Sequence, residues 1–234
     1  MNVSRRYNLV EVILALGVVA IGVVSIMALF PIGANASRDA SMETYSANVS
    51  DEMLQFVKYR LKEVGETDKQ DDIDQRWEDL VGKTGSTGAI TETKPTKAKL
   101  DVDTTKLDDT GVWKTPDTAI FGSIFNDTHT IYQHDTEKQV FQLLGHRNTD
   151  DIKLGDTDSS DPTKDFATNV DFRAIAYIWK EQIVIDQTQA DDSKIPYDSG
   201  ARIIVRVTWP AEIPYDARQK ADYVLEVFKP IVQE

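Results

Sequence analysis

The spacing of hydrophobic residues divides the chain into a helical first part and a β-rich last part. Residues 12–33 read VILALGVVAIGVVSIMALFPIG and contain no charged side chain. Residues 35–64 then repeat apolar side chains every three or four positions, which is the period of a helix with one buried face. The repeating side chains are Ala36, Ala40, Ala47, Met53, Leu54, Val57, Leu61 and Val64.

The last third of the chain carries the alternation of a half-buried sheet. Along Ala201–Trp209 and Asp222–Phe228, apolar side chains occupy every second position. One face is therefore expected to be buried and the other exposed to solvent, as in many antiparallel sheets. The connection WPAEIPYDARQK is predicted to be a long turn between these neighbouring strands. Further strands are predicted at Thr118–Phe125, His129–Gln133, Gln139–Leu144 and Phe172–Ile185.

Polar, irregular segments separate the predicted elements. Residues 73–81 predict a short helix that Gly82 ends. Residues 83–118 are rich in Thr, Lys, Asp and Gly, so they are predicted to be loop with short strands at most. Residues 147–169 form a second, Asp-rich loop. A long helix packed on an antiparallel sheet gives the α+β class.

The long helix has room for both a membrane span and a soluble half. From Leu9 to Val64, it would be about 80 Å long at a rise of about 1.5 Å per residue. A hydrocarbon core takes about 20 apolar residues as helix, and the first part is long enough. Arg5 and Arg6 precede the apolar run, so the positive-inside rule places the N-terminus in the cytoplasm. Pro31 is expected to bend or loosen the helix near the outer interface.

Three interpretations compete for the apolar segment. A cleaved secretory signal peptide could use the A-x-A site at residues 34–36, but its apolar region would run to only about 7–15 residues. A plain signal anchor is the second interpretation. The third has to explain Glu11, which interrupts the apolar run. Its carboxylate would cost about 2.5–3.5 kcal/mol at mid-membrane and less near the edge. Either Glu11 lies close to the interface, or a partner charge meets it.

The residues around Glu11 resemble a known processing signal. The stretch YNLVEV at residues 7–12, which follows two arginines, resembles the class III signal of type IV prepilins and type II secretion pseudopilins. In that family a prepilin peptidase cuts just before an aromatic or apolar residue and methylates the new amino terminus. A glutamate at the place of Glu11 is the family hallmark. The resemblance implies a cut between Arg6 and Tyr7, although the family normally has Gly where Arg6 stands.

The resemblance also implies a division of the chain into four parts. In a filament, the Tyr7 amine of one subunit is implied to pair with Glu11 of its neighbour, since a buried charge needs a partner. The four parts are a cytoplasmic leader peptide at residues 1–6, a transmembrane and filament-core helix at 7–33, an amphipathic continuation at 34–65 and an extracytoplasmic globular head at 66–234.

The implied function is structural. The chain would be a subunit of a type IV pilus or a type II secretion pseudopilus, and its large, loop-rich head favours a minor subunit. Its partners would be the membrane, the prepilin peptidase and other pilin or pseudopilin subunits. It would cross the cytoplasmic (inner) membrane once, with the head outside, before joining a surface or periplasmic filament. The alternative is a single-pass, signal-anchored envelope protein with an extracytoplasmic binding domain.

Composition narrows the possible partners. The net charge is −13, which disfavours a nucleic-acid partner because acidic surfaces repel phosphate backbones. Such acidity suits a soluble extracytoplasmic domain. The chain has no cysteine, so disulfides, thiolate metal sites, cysteine nucleophiles and a lipoprotein anchor are excluded.

One acidic loop is the only candidate metal site that the sequence offers. Asp156, Asp158 and Asp161 alternate in GDTDSSDPTKD, like the oxygen ligands of a calcium loop. Some pseudopilin heads bind calcium in a loop near the C-terminal sheet. Because the central Gly and closing Glu of an EF-hand are missing, a plain acidic loop is the favoured interpretation and calcium the alternative.

No enzyme is predicted. The histidines lack the spacing of zinc ligands on a rigid frame, so a solvated loop is expected for them. The stretch GKTGSTG lacks the residue order of a P-loop, and no serine has the context of a nucleophile elbow. The histidines are His129, His134 and His146, and the serines considered are Ser86, Ser123 and Ser199.

The N-terminal signal makes a testable prediction about processing. When the chain is produced with its cognate peptidase, intact-mass analysis should show loss of residues 1–6 and one added methyl group on Tyr7. A mature chain that starts at Ser37 would contradict this prediction, because signal peptidase would then have cut after Ala36. An uncut Met1 would contradict it in favour of the signal anchor.

Overall fold

The long N-terminal helix is the first element of the fold. The computed structural model describes residues 8–62, 70–83, 88–116, 131–146, 154, 170–185 and 193–231. Helix α1 spans Leu9–Lys62 and continues through Pro31 and Gly33, so neither residue ends it. The chain forms two compact units, Met1–Thr44 and Tyr45–Glu234, and the last part of α1 belongs to the second unit.

The second part of α1 buries one face, as its period predicts. Met53, Leu54, Val57 and Leu61 are all buried, with at most 6% of each exposed. The prediction was wrong at Ala36 and Ala40, which are exposed. Two serines occupy the buried face instead, because their hydroxyls find acceptors within the protein. Ser50 Oγ donates to the Ser46 carbonyl at 2.5 Å, and Ser46 Oγ lies 2.9 Å from Tyr223 Oη.

Six antiparallel strands follow in simple sequence order among the described residues. Each of these strands pairs with the next one in the chain, so the described part of the sheet has no crossover. The α+β class with an N-terminal apolar helix is confirmed. The strands are β1 Trp113–Lys114, β2 Ile131–His134, β3 Val140–His146, β4 Val170–Glu181, β5 Gly200–Trp209 and β6 Gln219–Phe228.

Most predicted strands match these bounds. The predicted hairpin is present as β2 and β3, with Tyr132 opposite Gln142. The prediction for β4 ran too far, since that strand ends at Glu181 and Val184 forms only an isolated bridge with Lys194. The predicted strand Thr118–Phe125 lies outside the described residues.

The C-terminal end of helix α2, Gln70–Leu80, is held by hydrogen bonds to β4 and to the segment before β5. Gly82 has a φ of 80° and donates its N–H to the Trp77 carbonyl at 3.1 Å, which ends the helix. The Trp77 indole donates to the Tyr197 carbonyl at 2.7 Å. Lys180 Nζ donates to the Val81 carbonyl, where the helix dipole favours a cation. Burial lowers the pKa of Lys180 and raises the pKa of Tyr197 to about 12.

One face of the sheet is covered by α1. The Tyr45 ring stacks on Phe172 of β4 at 5.8 Å between centroids. Tyr223 of β6, which bonds to Ser46, lies opposite Val205 of β5 and therefore shares its face. The side chains of β4 and β5 on this face are buried; they include Ala174, Ala176, Ile178, Ile203 and Val207.

The other face is covered by the irregular segment before β2, which contains helix α3, Lys97–Leu100, and a 3-10 turn, Thr104–Lys106. Leu100, Leu107 and Trp113 join a buried cluster with residues of β3, β4 and β5. The expectation of a wet face on β5 was therefore wrong: Ile204 is 6% exposed and Thr208 fully buried. The covering segment escaped prediction because its few apolar residues follow no period.

Buried Arg218 holds the connection between β5 and β6 against α3. Its guanidinium donates to three carbonyl groups, at 2.7 Å to Leu100, 2.8 Å to Ile213 and 3.0 Å to Ala211. Only a planar guanidinium presents donors in this arrangement. The connection itself includes the 3-10 turn Tyr215–Ala217.

These three contacts predict the effect of a conservative substitution. Arg218→Lys should lower the free energy of unfolding by about 1–3 kcal/mol, because an ammonium leaves buried carbonyls without a donor. Chemical denaturation of the full chain in detergent, followed by near-UV circular dichroism, measures the change. Arg202→Lys is the matched control on the exposed surface and should change it by less than about 1 kcal/mol. Equal effects of the two variants would contradict the role of Arg218.

Candidate functional site

The strongest functional feature of the described residues is an exposed apolar helix. Leu9–Met27 has a mean hydropathy of 2.7 over 19 residues, and none of it is buried within the protein. By length and composition this part of α1 is able to cross a membrane. Ser25 does not interrupt its apolar surface, since its hydroxyl donates to the Ile21 carbonyl at 2.8 Å within the helix.

Glu11 is the single ionisable residue of this apolar segment. It lies in the first turn of α1, and its N–H donates to the Asn8 carbonyl at 2.9 Å. The positive end of the helix dipole stabilises a carboxylate at this place. No basic side chain of residues 8–62 or of the other described ranges is paired with Glu11.

A line of small and branched side chains runs along the helix from Glu11. These residues form an open groove on one side of α1, with the carboxylate at one end. The groove is lined by Glu11, Val12, Ala15, Leu16 and Val19.

Several candidate residues lie outside the described ranges. Arg6 and Tyr7, where cleavage and methylation are predicted, belong to this group. The calcium candidates Asp156, Asp158 and Asp161 also lie outside. Within the described residues, no group of three or more His, Asp or Glu side chains could hold a metal ion. The calcium loop therefore stays a prediction.

His134 stabilises the turn between β2 and β3. It lies in β2 and is partly buried, not in the solvated loop that the sequence predicts. Its Nδ1 accepts the backbone N–H groups of Thr136 and Glu137 at 3.3 and 3.1 Å, which fixes the turn between β2 and β3. Burial lowers its pKa, so the neutral acceptor form is favoured. His146 ends β3, and His129 lies outside the described ranges.

The part of α1 that belongs to the second unit, Tyr45–Glu234, carries part of a second groove. It is lined by Glu52, Gln55, Phe56 and Tyr59, and Tyr59 is half exposed. Burial raises the pKa of Glu52, because it removes water from around the carboxylate. The helical period does not predict this groove, although Phe56 and Tyr59 on the face that it assigns to solvent are a signal for it.

Comparison with known proteins adds no family assignment: no protein-family model, curated protein or solved structure matches this chain.

The environment of Glu52 predicts a pH-dependent effect on stability. Because the folded-state pKa of Glu52 lies above its ordinary 4.5, its contribution to stability is present below pH 4.5 and is lost as the pH rises through the folded value. Glu52→Gln should therefore raise the free energy of unfolding at pH 7 and leave it unchanged below pH 4.5.

Thermal unfolding of both proteins at the two pH values measures this difference. Glu43→Gln, an exposed change on the same helix, is the control and should have no effect at either pH. A destabilised Glu52→Gln protein at pH 7 would show that the carboxylate makes a favourable contact there.

Proposed function

We propose that this chain is a structural subunit, of the minor type, in a type IV pilus or a type II secretion pseudopilus. It is inserted in the cytoplasmic membrane through α1, trimmed before Tyr7 and assembled by its N-terminal helix. The prepilin peptidase and other pilin or pseudopilin subunits are its partners. The α+β head stays outside the membrane and is exposed on the filament.

One observation carries this proposal: Glu11 stands in the first turn of an apolar helix that has no cover within the protein. The same helix continues without interruption into a folded α+β unit. A soluble domain does not need an exposed helix of this kind. A filament subunit does, because neighbouring helices bury the apolar surface that the single chain leaves open.

Glu11 sets the register of assembly in this proposal. Cleavage between Arg6 and Tyr7 frees a charged amine close to the start of α1. In the filament this amine pairs with Glu11 of a neighbour, and each carboxylate accepts one such partner. A charge buried without a partner is strongly unfavourable, so subunits that slip along one another are rejected.

A second candidate is a permanently anchored envelope protein with a binding head. Arg6 favours it, because the prepilin signal normally has Gly at that place. In this alternative the chain keeps its N-terminus, and Glu11 lies near the membrane interface with no partner. The two candidates differ in what a neutral side chain at Glu11 does to the protein.

The substitution Glu11→Gln keeps the size and helix propensity of the side chain but removes its charge. Leaving the neighbour's amine unmatched should cost about 3–5 kcal/mol per contact, so incorporation into filaments should fall strongly. Membrane insertion and folding should remain. The measurement compares sheared surface filaments with the membrane fraction, in cells that contain the cognate assembly machinery.

Glu43→Gln is the matched control, since it removes a carboxylate from the same helix outside the apolar segment. It should reach filaments at the level of the unchanged protein. Equal recovery of Glu11→Gln in filaments would refute the pairing of Glu11. Absence of all three proteins from filaments would favour the permanently anchored envelope protein.

A further inference from the structure

Among the described residues, strand β6 has no partner strand on its outer side. It is the last strand in the order of the described strands, and it is 10 residues long. β1, at the opposite edge, has only two residues. An open edge strand presents unpaired N–H and carbonyl groups, and an extended peptide is the ligand that satisfies them. β6 is therefore long enough to hold another strand.

The register of the sheet identifies the groups that face outward. In an antiparallel pair, successive residues point their backbone groups alternately toward and away from the partner strand. The Lys229 N–H donates to the Ser199 carbonyl at 3.0 Å, in continuation of the pairing of β5 with β6. Odd-numbered residues therefore bond to β5, and even-numbered residues point their backbone groups outward. The outward residues are Lys220, Asp222, Val224, Glu226 and Phe228, all with exposed side chains.

Three cross-strand pairs form a ladder that ends at this edge. Arg206 of β5 makes two bonds of 2.7 Å to Asp222 of β6. Arg202 makes two bonds to one carboxylate oxygen of Glu226, at 2.7 and 3.1 Å. Between these ion pairs, Ile204 lies opposite Val224, which is 54% exposed. A further strand would continue the ladder with a cation, an apolar residue and a cation.

The opposite face of β6 sets a second requirement. Tyr223 and Leu225 are partly exposed on the side of the sheet that α1 covers. A neighbouring strand would bury the rest of both side chains if its residues opposite them were apolar. Together the two faces specify a cation, three consecutive apolar residues and a second cation.

We infer that the outer edge of β6 binds an extended segment of another polypeptide with this alternation, centred opposite Val224. The protein's net charge of −13 favours a partner with cationic residues. β5 shows that the alternation fits β6, because its residues RIIVR at 202–206 pair with β6 from the inner side. Asp222 and Glu226 also disfavour a strand with acidic residues opposite them, because like charges repel. This binding site requires neither Glu11 nor N-terminal processing, so it stands apart from filament assembly.

The test uses the full-length chain in detergent and a fluorescent probe, the capped peptide Thr-Lys-Val-Val-Val-Lys-Thr. Fluorescence anisotropy should show saturable binding. The peptide with Glu in place of both Lys residues should bind about tenfold more weakly, because like charges then lie opposite each other. Equal binding of the two peptides, or no binding of either, would overturn the proposal.

Two variants of β6 show whether the peptide binds at this edge. Val224→Pro removes an outward N–H without disturbing the pairing with β5, so it should weaken binding about tenfold or more. Ile231→Pro, which places a proline at an exposed position beyond the end of β6, is the control and should retain binding. Unchanged binding by a folded Val224→Pro protein would overturn the proposal.

The second variant does not depend on tolerance of proline. Asp222→Asn combined with Glu226→Gln removes the carboxylates that pair with Arg206 and Arg202, so the preference between the two peptides should reverse. A preserved preference for the Lys peptide would overturn the proposal. A protein that binds neither peptide, but forms a dimer that Val224→Pro dissociates, would assign the edge to a second copy and overturn it as well.

Discussion

The rest of the fold depends on the burial of both faces of β4 and β5. The neighbouring strands satisfy the backbone groups of β4 and β5, but the side chains on both faces of these strands have to be shielded from water. α1 packs on one face, and the irregular segment around α3 packs on the other. Basic residues secure this cover: Lys180 holds the end of α2, Arg173 pairs with Asp108, and Arg218 joins α3 to the connection after β5. Each buried cation has acceptors, which is what makes its burial tolerable.

The elements with a strong local period were predictable. The apolar run, the amphipathic half of α1 and the alternation of β5 and β6 were all apparent in the spacing of side chains. The predictions failed where a contact far along the chain reverses a local preference. Arg206 and Thr208 indicated a wet face on β5, yet Arg206 lies over the Trp179 ring and Thr208 donates to the Ile175 carbonyl. Such pairings carry no periodic signal, because they join residues that are distant in sequence.

The candidate site also has one part that was predictable from the sequence and one part that was not. The placement of Glu11 within an exposed apolar helix follows from composition and length, and the structure agrees on both. Its functional interpretation comes from the resemblance of residues 7–12 to a prepilin signal. The groove at Glu52 and the open edge of β6 were not predicted. Both depend on which elements lie side by side, and the hydrophobic pattern of one element says nothing about its neighbours.

The sequential order of the strands bears on how the second unit, Tyr45–Glu234, folds as the chain is made. In the proposed topology, a chain that emerges with its N-terminus held in the membrane exposes β1 first and β6 last. Because each strand pairs with the one before it, the sheet can grow by one hairpin at a time, without waiting for a distant segment. The contact between Ser46 and Tyr223, which joins residues 177 positions apart, closes only at the end of synthesis. Until then the apolar face of α1 is the surface that most needs protection from aggregation.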